Sequence, residues 1–170
     1  MRTKRLPPAP ASAARERLQS ARDAVGRVPD PEADCCARVR EAIDVDRPGA
    51  QDWLTLLRAL GLVEREGGEY RRTDDDVDEA TLRERFTGEV YGAREVRDAL
   101  DGPDGAFRPA AAVVDVVPQP TWERHRHAEP DAAWARHVER LLDWLVAMGA
   151  AERGEGAYRR ATESDEGGTP

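Results

Sequence analysis

The sequence predicts a mainly α-helical chain with short β-hairpins, built as two tandem units of three helices followed by a hairpin. Three observations predict it: an ungapped internal repeat, apolar residues at helical spacing running up to a glycine, and a glycine-rich turn soon after each such glycine. Residues 53–74 laid over 141–162 without a gap pair Leu54 with Leu142, Leu57 with Leu145, Ala59 with Ala147 and Gly61 with Gly149. The match continues through Glu64 and Glu152, Arg65 and Arg153, Gly68 and Gly156, and Tyr70-Arg71-Arg72 on Tyr158-Arg159-Arg160. Ordinary residue usage would give about two identities over this length. Asp52-Trp53-Leu54 also echoes Asp143-Trp144-Leu145, three residues out of that register, so the two helices need not bury their tryptophans alike.

In chain order, residues 1–10 read as a disordered lead and residues 11–74 as the first unit. Its first helix, 11–25, aligns Ala14, Leu18, Ala21 and Val25 on one face. Its second, 31–43, is opened by Pro31 and ends near Asp44. Its third carries Trp53, Leu56, Leu57 and Leu60 and stops at Gly61, where a left-handed C-terminal cap favours glycine. Strands 62–65 and 69–72 then flank Glu66-Gly67-Gly68. A connector, 75–87, holds part of the acidic run Asp74 to Asp78 and a short helix near 79–86. The second unit, 88–162, repeats the plan. Helix 88–100 aligns Val90, Ala93, Val96 and Leu100, and helix 109–117 is stopped by Pro118 and Pro120. A long helix from about 130 to 148 follows, with Trp134, Val138, Leu141, Leu142, Leu145 and Met148 in one stripe ending at Gly149. Strands 150–153 and 157–160 flank Gly154-Glu155-Gly156, and residues 163–170 read as disordered.

Charge and cysteine usage bound the setting. The 170 residues hold 34 acidic against 26 basic side chains, a formal net charge of −8. Lys4 is the only lysine, Ile43 the only isoleucine, and asparagine is absent. This usage resembles that of extreme halophiles with GC-rich genomes. An acidic balance argues against an ordinary basic nucleic-acid binder, yet molar salt screens charge within about 3 Å and lets an acidic protein approach DNA. No run approaches the roughly 20 apolar residues that span a bilayer. The basic start, Arg2 to Arg5, is followed by Pro7, Pro8 and Pro10 where a signal peptide needs an apolar helix, so a cytoplasmic protein is expected. Cys35 and Cys36 are adjacent and imply no disulfide framework; they read as packed thiols rather than a redox pair.

A leucine-rich helix ending in Leu60-Gly61-Leu62-Val63, then charged residues, a glycine turn and Tyr70-Arg71-Arg72-Thr73, resembles the third helix and wing of winged-helix domains. Leu145 to Arg160 is the weaker copy, with Ala150 and Ala151 in place of branched residues. The resemblance implies that the third helix enters a DNA major groove while the wing touches the backbone. Carried over by position, the candidates in the first unit are Gln51, Thr55, Arg58, Arg65, Arg71 and Arg72. In the second they are Arg136, His137, Arg140, Arg153, Arg159 and Arg160. Arginine suits the role because its planar fork meets phosphate or guanine with two bonds. Against this, Asp52, Glu139 and Asp143 share those helices, and Glu66, Glu69 and Glu155 sit beside the turns.

No catalytic constellation is present: there is no Gly-x-Ser-x-Gly elbow, no phosphate-binding Gly-x-x-x-x-Gly-Lys, no His-Glu-x-x-His and no Cys-x-x-Cys. The insertion 119–129 carries Trp122, His125 and His127, but alternate histidines without a further spaced ligand make a poor zinc site. Trp122 reads as a lid on the core. The expectation is a binding protein without enzyme activity, metal or cofactor, whose partner is double-stranded DNA, as in a transcriptional regulator, or another protein that uses it as an adaptor.

Overall fold

The computed structural model describes residues 2–74, 76–102 and 104–162. The first unit comprises α1 (Ala14–Ala24), β1 (Asp30–Pro31), α2 (Glu32–Ile43), α3 (Arg47–Ala59), β2 (Val63–Glu66) and β3 (Glu69–Arg72). After α4 (Glu79–Glu89), the second comprises α5 (Ala93–Ala99), β4 (Arg108–Pro109), α6 (Ala110–Val116), α7 (Thr121–Arg124), α8 (Pro130–Ala147), β5 (Ala151–Gly154) and β6 (Ala157–Arg160). Each unit is a helix cluster, of three helices in the first and of three plus the single turn α7 in the second, closed by a three-stranded antiparallel sheet ordered β1-β3-β2 in the first and β4-β6-β5 in the second. These are two winged-helix domains.

The helix ends follow from the sequence. Asp46 caps α3 by accepting from the Gly49 amide (2.8 Å), and Asp78 caps α4 by accepting from the Thr81 amide (2.7 Å). At the far end of α3 the Leu62 amide bonds back to the Leu57 carbonyl and the Gly61 amide to Arg58, with Gly61 at φ 70°. Ala150 to Leu145 and Gly149 to Val146, with Gly149 at φ 73°, repeat this double closure in α8. The hairpin registers repeat as well: Glu64 opposes Arg71 and Arg65 opposes Tyr70, as Glu152 opposes Arg159 and Arg153 opposes Tyr158. The repeat therefore superposes as helix plus hairpin at an offset of 88 residues. The short strands β1 and β4, which pair with β3 and β6 at Asp30–Tyr70 and Arg108–Tyr158, were not expected. Two-residue strands ending in proline leave no periodicity to read.

Two expectations are corrected. Residues 2–10 are not a loose lead but a strap laid across the second domain. The Thr3 amide donates to the Glu89 carbonyl (2.8 Å), the Tyr91 amide donates to the Thr3 carbonyl (2.7 Å), and Leu6 is buried. The indole N–H of Trp144 donates to the Pro7 carbonyl at 2.7 Å, and Arg140 donates to that of Leu6 at 2.9 Å. Pro7, Pro8 and Pro10 hold the strap extended, its carbonyls open to these donors. The strap also breaks the helix expected over 88–100. It uses the backbone groups of Glu89 and Tyr91, Gly92 sits at φ 83°, and only Ala93–Ala99 remains helical as α5. The tail, 163–170, lies outside the described residues.

The core is continuous through both domains. Trp53 of α3 and Trp144 of α8 meet edge to face at 5.6 Å, and Phe86 of α4 lies 6.3 Å from Trp144. At the 88-residue offset Trp144 corresponds to Leu56, not to Trp53, so the two tryptophans are indeed buried differently. Tyr70 and Tyr158 are both buried under their hairpins. Among the described residues, no helix is long and apolar enough to cross a membrane.

Candidate nucleic-acid interface

Burial of one side of α3 leaves a stripe along the other. Arg47 and Arg58 are exposed and Gln51 and Thr55 half-exposed, at positions that recur every three or four residues on one face. Thr55 Oγ1 donates to the Gln51 carbonyl (2.9 Å), and Gln51 Nε2 donates to Glu32 Oε1 (3.3 Å). Arg65 of the wing approaches the same Glu32 carboxylate at 3.8 Å and lies over the Tyr70 ring. Glu32 at the start of α2 thus gathers the wing and the middle of α3 onto one face. Gln51, Thr55, Arg58 and Arg65 of the sequence candidates come together there. Arg47 was missed, although its position one turn before Gln51 was a usable signal.

The other candidates lie elsewhere. Arg71 projects from the opposite side of the hairpin and pairs with Glu64 at 2.7 Å. Arg72 reaches α1 and pairs with Asp23 at 2.9 Å. In the second domain Arg159 pairs with Glu152 (2.7 Å) and lies over Phe107, Arg160 pairs with Asp101 (2.5 Å), and Arg153 approaches Asp143 (3.8 Å). Arg136, His137 and Arg140 line a cleft between the domains. His137 is half-buried; its Nε2–H donates to the Tyr91 carbonyl (3.1 Å), and burial pushes its pKa below the ordinary histidine value. The residues of α8 that occupy the positions of Gln51, Thr55 and Arg58 are Glu139, Asp143 and Val146. One domain therefore presents a stripe of arginine, amide and hydroxyl, the other a stripe of carboxylate and valine.

Burial also pushes the thiols of Cys35 and Cys36 up, away from the thiolate that a redox or metal role needs. Among the described residues no three His, Cys, Asp or Glu side chains are grouped to hold a metal ion. Trp122 is exposed and is no lid on the core; it packs 6.0 Å from Tyr91 with the Lys4 ammonium over its ring.

Comparison with curated proteins finds no match, and comparison with solved structures finds none either. The family model described as "Halobacterial double winged helix domain" matches residues 1–165, from the strap through the second wing, and the chain belongs to that family.

Proposed function

We propose that this protein is a cytoplasmic DNA-binding regulator that engages double-stranded DNA through its first winged-helix domain alone. The observation that carries the reading is the α3 stripe. Gln51 and Thr55 offer uncharged groups for base edges, Arg47 and Arg58 flank them, and Arg65 sits where a wing meets phosphate. Arg47 and Arg58 hold no ion-pair partner among the described residues, whereas the arginines of both wings sit beside carboxylates. In molar salt, long-range attraction is screened and short-range hydrogen bonds carry more of the recognition.

The adaptor reading is favoured by Glu66, Glu69 and Glu155, which stand exposed at the wing tips and would repel phosphate. Retention of fragmented genomic DNA on the immobilised protein in molar potassium chloride separates the two. Arg58→Ala should weaken retention several-fold and Arg65→Ala should lower the salt slope by about one, while Arg159→Ala changes neither. A wild type that retains no DNA turns the assignment to the adaptor, and equal losses for Arg58→Ala and Arg159→Ala would sink the one-domain reading.

A further inference from the structure

The cleft between the domains has a volume of about 320 Å³ and a charge opposite to that of the protein around it. Arg5 from the strap and Arg136 and Arg140 from α8 line it, with Asp52 from α3. Lys4 and Glu123 also line it, but they pair with each other at 2.5 Å and cancel. His137 spends its Nε2–H on the Tyr91 carbonyl, and burial disfavours its charged form. Three guanidinium groups therefore share one free carboxylate, in a chain where acidic residues outnumber basic ones 34 to 26 and nearly every wing arginine is matched. One wall is aromatic, made by Tyr91 and Trp134, which meet edge to face with centroids 6.3 Å apart.

We infer that this cleft binds a small organic oxyanion carrying a planar ring, of the size and chemistry of a nucleoside monophosphate. The volume falls at the low end of the roughly 300–1,000 Å³ of ligand sites, enough for one such molecule. Guanidinium forks bind phosphate or carboxylate oxygens in pairs, and the aromatic wall takes the ring. The site is preorganised: Arg140 is already held by the Leu6 carbonyl, and Arg5 belongs to the same strap. Arg5, Arg136 and Arg140 are exposed, so in molar salt short paired hydrogen bonds, not long-range attraction, carry the binding. The inference is independent of what the α3 stripe binds.

Calorimetric titration in molar potassium chloride with AMP, inorganic phosphate and adenosine tests it, with tryptophan emission as a second readout because Trp134 lines the cleft. AMP should bind saturably and change the emission, phosphate more weakly, and adenosine not at all. Arg136→Ala should weaken AMP at least tenfold while leaving the melting temperature of the unliganded protein unchanged, since Arg136 is exposed and holds no ion pair among the described residues. Arg5→Ala should act in the same direction. No saturable binding of AMP up to millimolar concentration, equal binding of AMP and adenosine, equal binding of AMP and phosphate, or AMP affinity indifferent to Arg136→Ala would each overturn the assignment.

Discussion

The two domains share a frame and differ in their faces. Their C-terminal helix closures, hairpin registers and buried tyrosines correspond residue by residue at an offset of 88. Yet Gln51, Thr55 and Arg58 become Glu139, Asp143 and Val146, and Asp52 becomes Arg140. The frame is fixed by what must be buried or hydrogen-bonded, and those demands are the same in both copies. The exposed stripe answers only to a partner, so it is free to diverge once one copy is enough for binding. The comparison teaches that a repeated fold is no evidence for a repeated site.

The largest effect expected lies where the copies meet. Trp144 is fully buried, touches Trp53 and Phe86, and gives its indole proton to the strap. Trp144→Ala should cost about 3–5 kcal/mol, Trp53→Ala somewhat less because Trp53 lacks that hydrogen bond. Denaturant unfolding of the wild type should show one transition, since the core is continuous; two transitions would mean the domains are independent and the shared core is overstated.

A smaller effect separates the paired tyrosines. Tyr158 donates its hydroxyl proton to Asp143 Oδ1 at 2.8 Å, a bond for which Tyr70 has no counterpart because Thr55 stands where Asp143 does. Tyr158→Phe should cost about 1–3 kcal/mol and Tyr70→Phe close to nothing. Burial first, and then the Asp143 carboxylate, push the Tyr158 phenol from 10.0 up to about 12. A folded pKa above the unfolded one means that this stability is complete below pH 10 and drains away between pH 10 and 12. Melting temperatures taken up that alkaline range should fall for the wild type and less steeply for Tyr158→Phe. If Tyr70→Phe flattened the profile equally, the two tyrosines would be equivalent after all.

The smallest effect is within one wing. Arg72, with its side chain 22% exposed, ties β3 to Asp23 of α1, whereas the Arg71 pair with Glu64 is about half-exposed at both ends. Arg72→Ala should cost about 0.5–1 kcal/mol and Arg71→Ala close to nothing, measured by the same unfolding midpoints.

Much of this frame was legible because it is local. A glycine one turn past Leu57 or Leu145, and a glycine turn starting five residues later, announce helix end and hairpin from sequence alone. Of the candidate site, the stripe through Gln51, Thr55 and Arg58 was legible from helical periodicity. Which arginines have carboxylate partners was not: Arg72 meets Asp23 across 49 positions and Arg160 meets Asp101 across 59. The strap was illegible for the same reason. Pro7, Pro8 and Pro10 read as disorder because the groups that fix them, on Trp144 and Arg140, lie more than a hundred residues away.

That separation has a consequence during synthesis. Pro7 leaves the ribosome 137 residues before Trp144, a delay of roughly 10 s or more at ordinary elongation rates. Through this interval the strap waits with its carbonyls hydrated and Leu6 uncovered. A nascent chain stalled before Trp144 has emerged should therefore hold a strap open to proteases, and release of the full chain should bury it.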